Sequence, residues 1–120
     1  MTDLLVAGGG PAGLATALLA AARGLEVVLV EPRPGPIDKA CGEGLMPGAV
    51  EALAAMGVYP EGRPFHGIRY VAGGRVAEGR FGAGPGLGVR RTTLSAALAD
   101  RADAQGVRRV IQAEGVGRLV

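Results

Sequence analysis

Three glycines near the start of the chain are spaced Gly8-x-Gly10-x-x-Gly13, inside the run "GGGPAG". This spacing suits one task, holding a pyrophosphate against bare backbone. Gly8 permits a tight turn, Gly10 leaves room for phosphate oxygens to reach the main chain, and Gly13 lets a helix pack close to a strand. Pro11 and Ala12 lie between them, at the start of a helix whose unpaired N–H groups face the same anion. Glu31 follows 18 residues after Gly13. A carboxylate there can accept hydrogen bonds from ribose hydroxyls and would repel a 2′-phosphate.

Such a motif means little outside its context, because glycine-rich chains produce it by chance. Here the flanking elements agree with it. "DLLVAG" is a short apolar run that predicts a buried strand over about residues 3 to 8. "PAGLATALLAAARG" predicts a helix, with Pro11 in its first turn, Leu14, Ala17, Leu18 and Ala21 on one face, and Gly24 past its end. "LEVVLVE" predicts a second strand over about residues 26 to 31. Strand, helix and strand in this order form a βαβ unit with parallel strands. The motif does not choose between NAD and FAD, because both use it.

The rest of the chain reads more coarsely. Residues 32 to 44 hold three prolines and three glycines without a period and predict an irregular loop. "LMPGAVEALAAMG" predicts a short helix, with Val50, Leu53 and Ala54 on one side and Gly57 as its stop. Residues 66 to 81 predict a β-hairpin turning at Gly73-Gly74. Residues 82 to 88 read as a glycine-rich connector. "VRRTTLSAALADRADAQG" predicts a helix with a Thr near its N-cap and Gly106 as its stop. "VRRVI" and "GVGRLV" predict two further strands.

Composition excludes several classes. A net charge of +2, with scattered arginines and few aromatics, offers no nucleic-acid surface. One cysteine, Cys41, excludes an internal disulfide and suits a reducing cytoplasm. One histidine and one cysteine cannot complete a usual zinc site. Residues 4 to 22 are uncharged, but glycines and a proline interrupt them and Asp3 precedes them, which argues against a membrane span or a signal peptide. His66 reads as structural and Glu43 as solvated. Arg33 and Lys39 read equally well as phosphate screens or as solvated loop residues. No residue identifies itself as a general acid or base.

"GGGPAG", "VEP", "DKACGEGL" and "VRRTTL", in this order, resemble flavin-dependent oxidoreductases of the p-hydroxybenzoate hydroxylase fold. The branch resembled is that of the geranylgeranyl reductases and related bacterial FAD-dependent monooxygenases. The resemblance covers nearly the whole chain. It implies an α/β, Rossmann-like FAD-binding domain over residues 1–120, with a parallel sheet interrupted by the small antiparallel hairpin at 66–81. In the family that hairpin belongs to the substrate-domain sheet.

The resemblance implies FAD as cofactor. Gly8, Gly10, Pro11, Ala12 and Gly13 would hold its pyrophosphate and Glu31 its adenosine ribose. Cys41, Gly42 and Gly44 would lie along the flavin, Arg91 would contact the cofactor, and Val116 would sit near the adenine. An arginine is unfavourable at a helix N-terminus, so an anionic ligand would explain Arg91. The implied activity is hydroxylation or C=C reduction of a small or lipid-like organic substrate, with NAD(P)H as electron donor. Family members continue well beyond this length and carry a Gly-Asp pair that this sequence lacks. The chain therefore reads as incomplete relative to the family. Two other readings stay open: a nicotinamide-binding domain of a dehydrogenase, and a truncated, non-catalytic nucleotide-binding fragment.

Overall fold

The computed structural model describes residues 1–39 and 41–112. β1 (Leu4–Ala7) leads through the glycine turn into α1 (Pro11–Ala21), which returns to β2 (Val27–Glu31). Then follow β3 (Gly44–Leu45), α2 (Pro47–Ala55), β4 (Arg63–Phe65), β5 (Gly67–Ala72), β6 (Arg75–Arg80), β7 (Gly86–Gly88), α3 (Arg91–Ala104) and β8 (Arg108–Ile111).

The first sheet has the order β1-β2-β8, and both pairs are parallel. Its register puts Val6 opposite Leu29 and Glu31 opposite Ile111. The side-chain period of two sends Val27 and Leu29 to one face of β2 and Val28 and Val30 to the other. α1 and α3 pack together, with Leu14, Ala17, Leu18, Leu94, Leu98 and Ala102 buried in one core with Val27 and Leu29. A core of Ala, Val and Leu lets the helices approach closely. It also makes the fold sensitive to added volume.

The opposite face of this sheet is a cleft of about 450 Å3 lined by Leu5, Val28, Val30, Arg108 and Val110. Parallel sheets are ordinarily covered on both faces, and Leu5 is 39% exposed here.

The βαβ unit falls within a residue or two of its expected bounds, and Pro11 occupies the first turn of α1. The hairpin also forms as expected. Gly73 and Gly74 both have positive φ, +54° and +75°, as the tightest hairpin turn requires. β6 is exposed along its whole length.

One expectation needs correction. The glycine-rich connector is not all loop. Gly86–Gly88 is β7, the middle strand of an antiparallel sheet of order β3-β7-β4. A Cβ at Gly86 would meet the Phe65 ring at 2.5 Å and the Leu45 carbonyl at 2.6 Å, so glycine is there for close packing, not for freedom. In α3 the threonines do lie near the N-cap, as expected: the N-cap is Arg90, Thr92 and Thr93 stand in the first turn, and no side chain caps the helix. The strand expected in "GVGRLV", and Val116 within it, lie outside the described residues. Among the described residues no helix is long and apolar enough to cross a membrane.

Candidate cofactor site

β1 ends at Ala7, and the chain must then reverse into α1. Gly8 makes the reversal with φ +106°, and its N–H donates to the Val30 carbonyl at 2.8 Å. Gly10 is the N-cap, in extended backbone, and no side chain caps the helix. The first intrahelical bond runs from Leu14 N to Gly10 O at 2.9 Å. The N–H groups of Ala12 and Gly13 therefore have no partner within the helix, and they lie at its positive end.

The three glycines do different things here, as their spacing implied. A Cβ on Gly13 would collide with the Gly8 carbonyl oxygen, so Gly13 lets the helix sit against the turn. A Cβ on Gly10 would meet nothing within 4 Å, so Gly10 borders open space. The bare backbone, the free donors and the open approach together fit a pyrophosphate.

Glu31 lies at the carboxyl end of β2 and is only 4% exposed. A merely solvated carboxylate is thereby ruled out. Its Oε2 accepts from Gly9 N at 2.8 Å and from Arg33 Nη2 at 3.2 Å. Its Oε1 accepts from Arg33 N at 3.0 Å and from Arg33 Nε at 2.8 Å. The Arg33 guanidinium is the largest cause holding the Glu31 carboxyl at about 2, below the ordinary 4.5; the Gly9 N–H adds to it, and burial opposes both.

The folded value lies below the unfolded one, so this contribution to stability is complete above about pH 4.5 and is lost as pH falls towards 2. Because half of the Arg33 side chain is in solvent, we expect about 2 kcal/mol rather than the full shift. Glu31→Gln should lower the denaturant midpoint near neutral pH and flatten its fall across that acid window. Urea titrations at a series of pH values check this; parallel wild-type and variant curves would contradict it.

Glu31 forms one wall of a cleft of about 250 Å3 whose other walls include Gly9, Ile37, Ser95, Arg109 and Ile111. The cleft opens at the carboxyl ends of β2 and β8, where parallel sheets take their ligands. Its rim is the proline-rich loop after β2. Ile37 is buried there, and its N–H donates to Ser95 Oγ on α3 at 3.0 Å. Ser95→Ala would leave that buried N–H unpaired, at a cost of about 1–3 kcal/mol. Faster amide exchange at Gly35 and Ile37 is the expected sign, and unchanged exchange would show that the loop is held otherwise.

The second motif pair also meets in space. Gly44 pairs with Gly88, and Val89 N donates to the Glu43 carbonyl at 2.8 Å. The loop Cys41–Gly44 is thus tied to the strand that feeds Arg91, the first residue of α3. Cys41 is exposed, and its Sγ accepts a weak bond from Glu43 N at 3.3 Å. Among the described residues, Glu43 is the non-glycine residue with positive φ, +54°. The Arg91 Nε is buried without a hydrogen-bond partner among the described residues. A buried guanidinium donor without an acceptor, at the end of a helix that repels cations, fits an anionic ligand.

Sequence reading did not find Ser95, Arg109 or the Arg33 pairing. Ser95 had a signal, a polar side chain on the buried stripe of α3. The ion pair had none beyond its spacing of two residues.

The family description "FAD binding domain" matches residues 1–114. Over 56 residues, 47% of this chain and 14% of that one, the sequence is 50% identical to "Menaquinone reductase" of Mycolicibacterium smegmatis. Over 58 residues, 48% of this chain and 14% of that one, it is 52% identical to "6-methylpretetramide 4-monooxygenase" of Streptomyces rimosus. The chain matches only 14% of the length of these curated relatives. Among solved structures it is similar to a geranylgeranyl bacteriochlorophyll reductase-like protein of Thermoplasma acidophilum, with TM-score 0.75 and 28% identity over 91% of this chain and 29% of that one. With the glycine turn, the acid at the end of β2 and the match along nearly all of its length, the chain belongs to the FAD binding domain family, and FAD is its cofactor.

Proposed function

We propose that this chain is the FAD-holding part of an oxidoreductase that hydroxylates or reduces an organic substrate. The observation that carries this reading is the glycine turn, with its free N–H groups, next to a carboxylate fixed at the end of β2. Bound FAD would supply the redox chemistry, either hydride transfer or oxygen activation. The rest of the mechanism belongs to the chain.

In this reading Gly8, Gly10, Pro11, Ala12 and Gly13 hold the pyrophosphate by backbone and helix dipole. Glu31 accepts from the adenosine ribose, in the cleft it shares with Arg33 and Ile111. Arg91 gives its orphaned Nε–H to an oxygen of the cofactor. Cys41, Gly42 and Gly44 pass along the flavin with little side-chain bulk. Binding and orientation are the work of these residues; none is assigned as a proton donor.

The hairpin of β5 and β6 we assign to a substrate-domain sheet, with residues 1–120 otherwise forming the FAD-binding domain. Two strands alone are marginal in water, and Tyr70, Val71 and Val76 are 59–67% exposed on it. The substrate class is a small or lipid-like organic molecule, and NAD(P)H is the electron donor we expect. The lone thiol of Cys41 fits a reducing cytoplasm. The test is anaerobic reduction of the FAD-loaded protein by NADPH or NADH, followed at the flavin band. Bleaching by either supports the reading. A flavin that neither donor reduces, with or without quinone and phenol substrates, would overturn it.

A further inference from the structure

The carboxylate of Glu31 has no acceptor position left. An ionised carboxylate offers about four lone-pair sites. Four N–H groups fill them: Gly9 N and Arg33 Nη2 on Oε2, and Arg33 N and Arg33 Nε on Oε1. A ribose diol that donates to this carboxylate must therefore take a place that is already held.

The four bonds differ in how easily they open. Gly9 N belongs to the turn between β1 and α1, and Arg33 N to the backbone just past β2. The other two come from a guanidinium whose side chain is 52% exposed and can swing into water. Only the guanidinium half of this pair reaches solvent, since the Glu31 side chain is 5% exposed, so the pair opens by Arg33 swinging out, and incoming hydroxyl donors offset the bonds it gives up. Arg109, the other cation lining the cleft, is tied to both Asp103 oxygens at 2.7 Å and is no competitor.

We propose that the Arg33 guanidinium is a placeholder for the adenosine ribose, bonded to Glu31 in the free protein and displaced when the ribose hydroxyls arrive. This rests on the reading of the cleft as the adenosine site. Before binding, Arg33 keeps the Glu31 carboxylate charged and in one orientation. On binding, two side-chain donors leave and two hydroxyl donors replace them. The acceptor count of the carboxylate is conserved. A ligand without the diol cannot make that replacement.

Adenosine is the probe, because it carries the diol and no phosphate, and the lost positive charge of a variant does not enter. Arg33→Met keeps the aliphatic stem and removes the guanidinium donors. Adenosine should bind Arg33→Met about three- to tenfold more tightly than wild type, the size of one ordinary net hydrogen bond. In the wild-type protein, the Arg33 Nε–H signal in NMR should lose its protection from solvent exchange as adenosine is added. That measurement needs no variant.

Equal or weaker binding to Arg33→Met overturns the placeholder, as does an Nε–H signal that adenosine does not move. Glu31→Gln separates the two readings. If it weakens adenosine binding while Arg33→Met fails to tighten it, the adenosine site stands and the placeholder falls. If Glu31→Gln leaves binding unchanged, both fall.

Discussion

Replacing Gly10 by valine abolishes FAD binding and leaves the fold intact. Gly10 sits in extended backbone, φ −71° and ψ 179°, which a β-branched residue adopts without strain. Its added Cβ meets nothing within 4 Å, so the fold loses no packing. Valine is a poorer N-cap than glycine, so the change should cost about 1 kcal/mol, too little to unfold the domain. The new side chain stands where phosphate oxygens approach the helix N-terminus. Losing close contact with the helix-end N–H groups, each a charge-assisted bond of about 1.5–3 kcal/mol, should weaken FAD by at least about a hundredfold.

Gly13→Ala makes the contrast. Its Cβ collides with the Gly8 carbonyl oxygen, so it should lower stability as well as binding. Thermal unfolding without cofactor, beside a flavin titration, distinguishes the two. Gly10→Val with normal affinity would place the pyrophosphate elsewhere.

Arg91→Met has the second large effect, and it runs in opposite directions for binding and stability. Without ligand, Arg91 buries an Nε–H that has no acceptor among the described residues, at the helix end where a cation is disfavoured. An unpaired buried donor costs about 1–3 kcal/mol, so methionine should leave the ligand-free protein as stable or more stable. With FAD bound, the same donor gains a charged acceptor. The variant should then bind FAD about ten- to a hundredfold more weakly. The FAD-dependent rise in melting temperature should shrink accordingly. A variant less stable without ligand, with unchanged affinity, would make Arg91 a purely structural residue.

The parts of this site that could be read from the sequence are those written in local backbone demands. The turn at Gly8, the close approach at Gly13 and the hairpin at Gly73-Gly74 each follow from what only glycine tolerates. The βαβ unit follows from two apolar runs and a helical stripe. Arg91 was legible as a charge in the wrong place on its helix, and its orphaned Nε fits that reading.

What stayed hidden depends on distance or on backbone pairing. Ser95 reaches Ile37 across 58 residues, and no local pattern announces it. β7 is Gly-Leu-Gly, which has no hydrophobic alternation; it is a strand because Leu45 and Phe65 flank it. Glu31 is legible as a ribose ligand from its place at the end of β2, but its engagement with Arg33 appears only once the loop is folded.

The most direct test of the central claim is the visible spectrum of the purified protein after incubation with FAD and desalting. A flavin band that remains near one equivalent, and is absent from Gly10→Val, is the predicted result. A colourless wild-type protein that instead binds NAD in the same assay would contradict the assignment of FAD to the glycine turn.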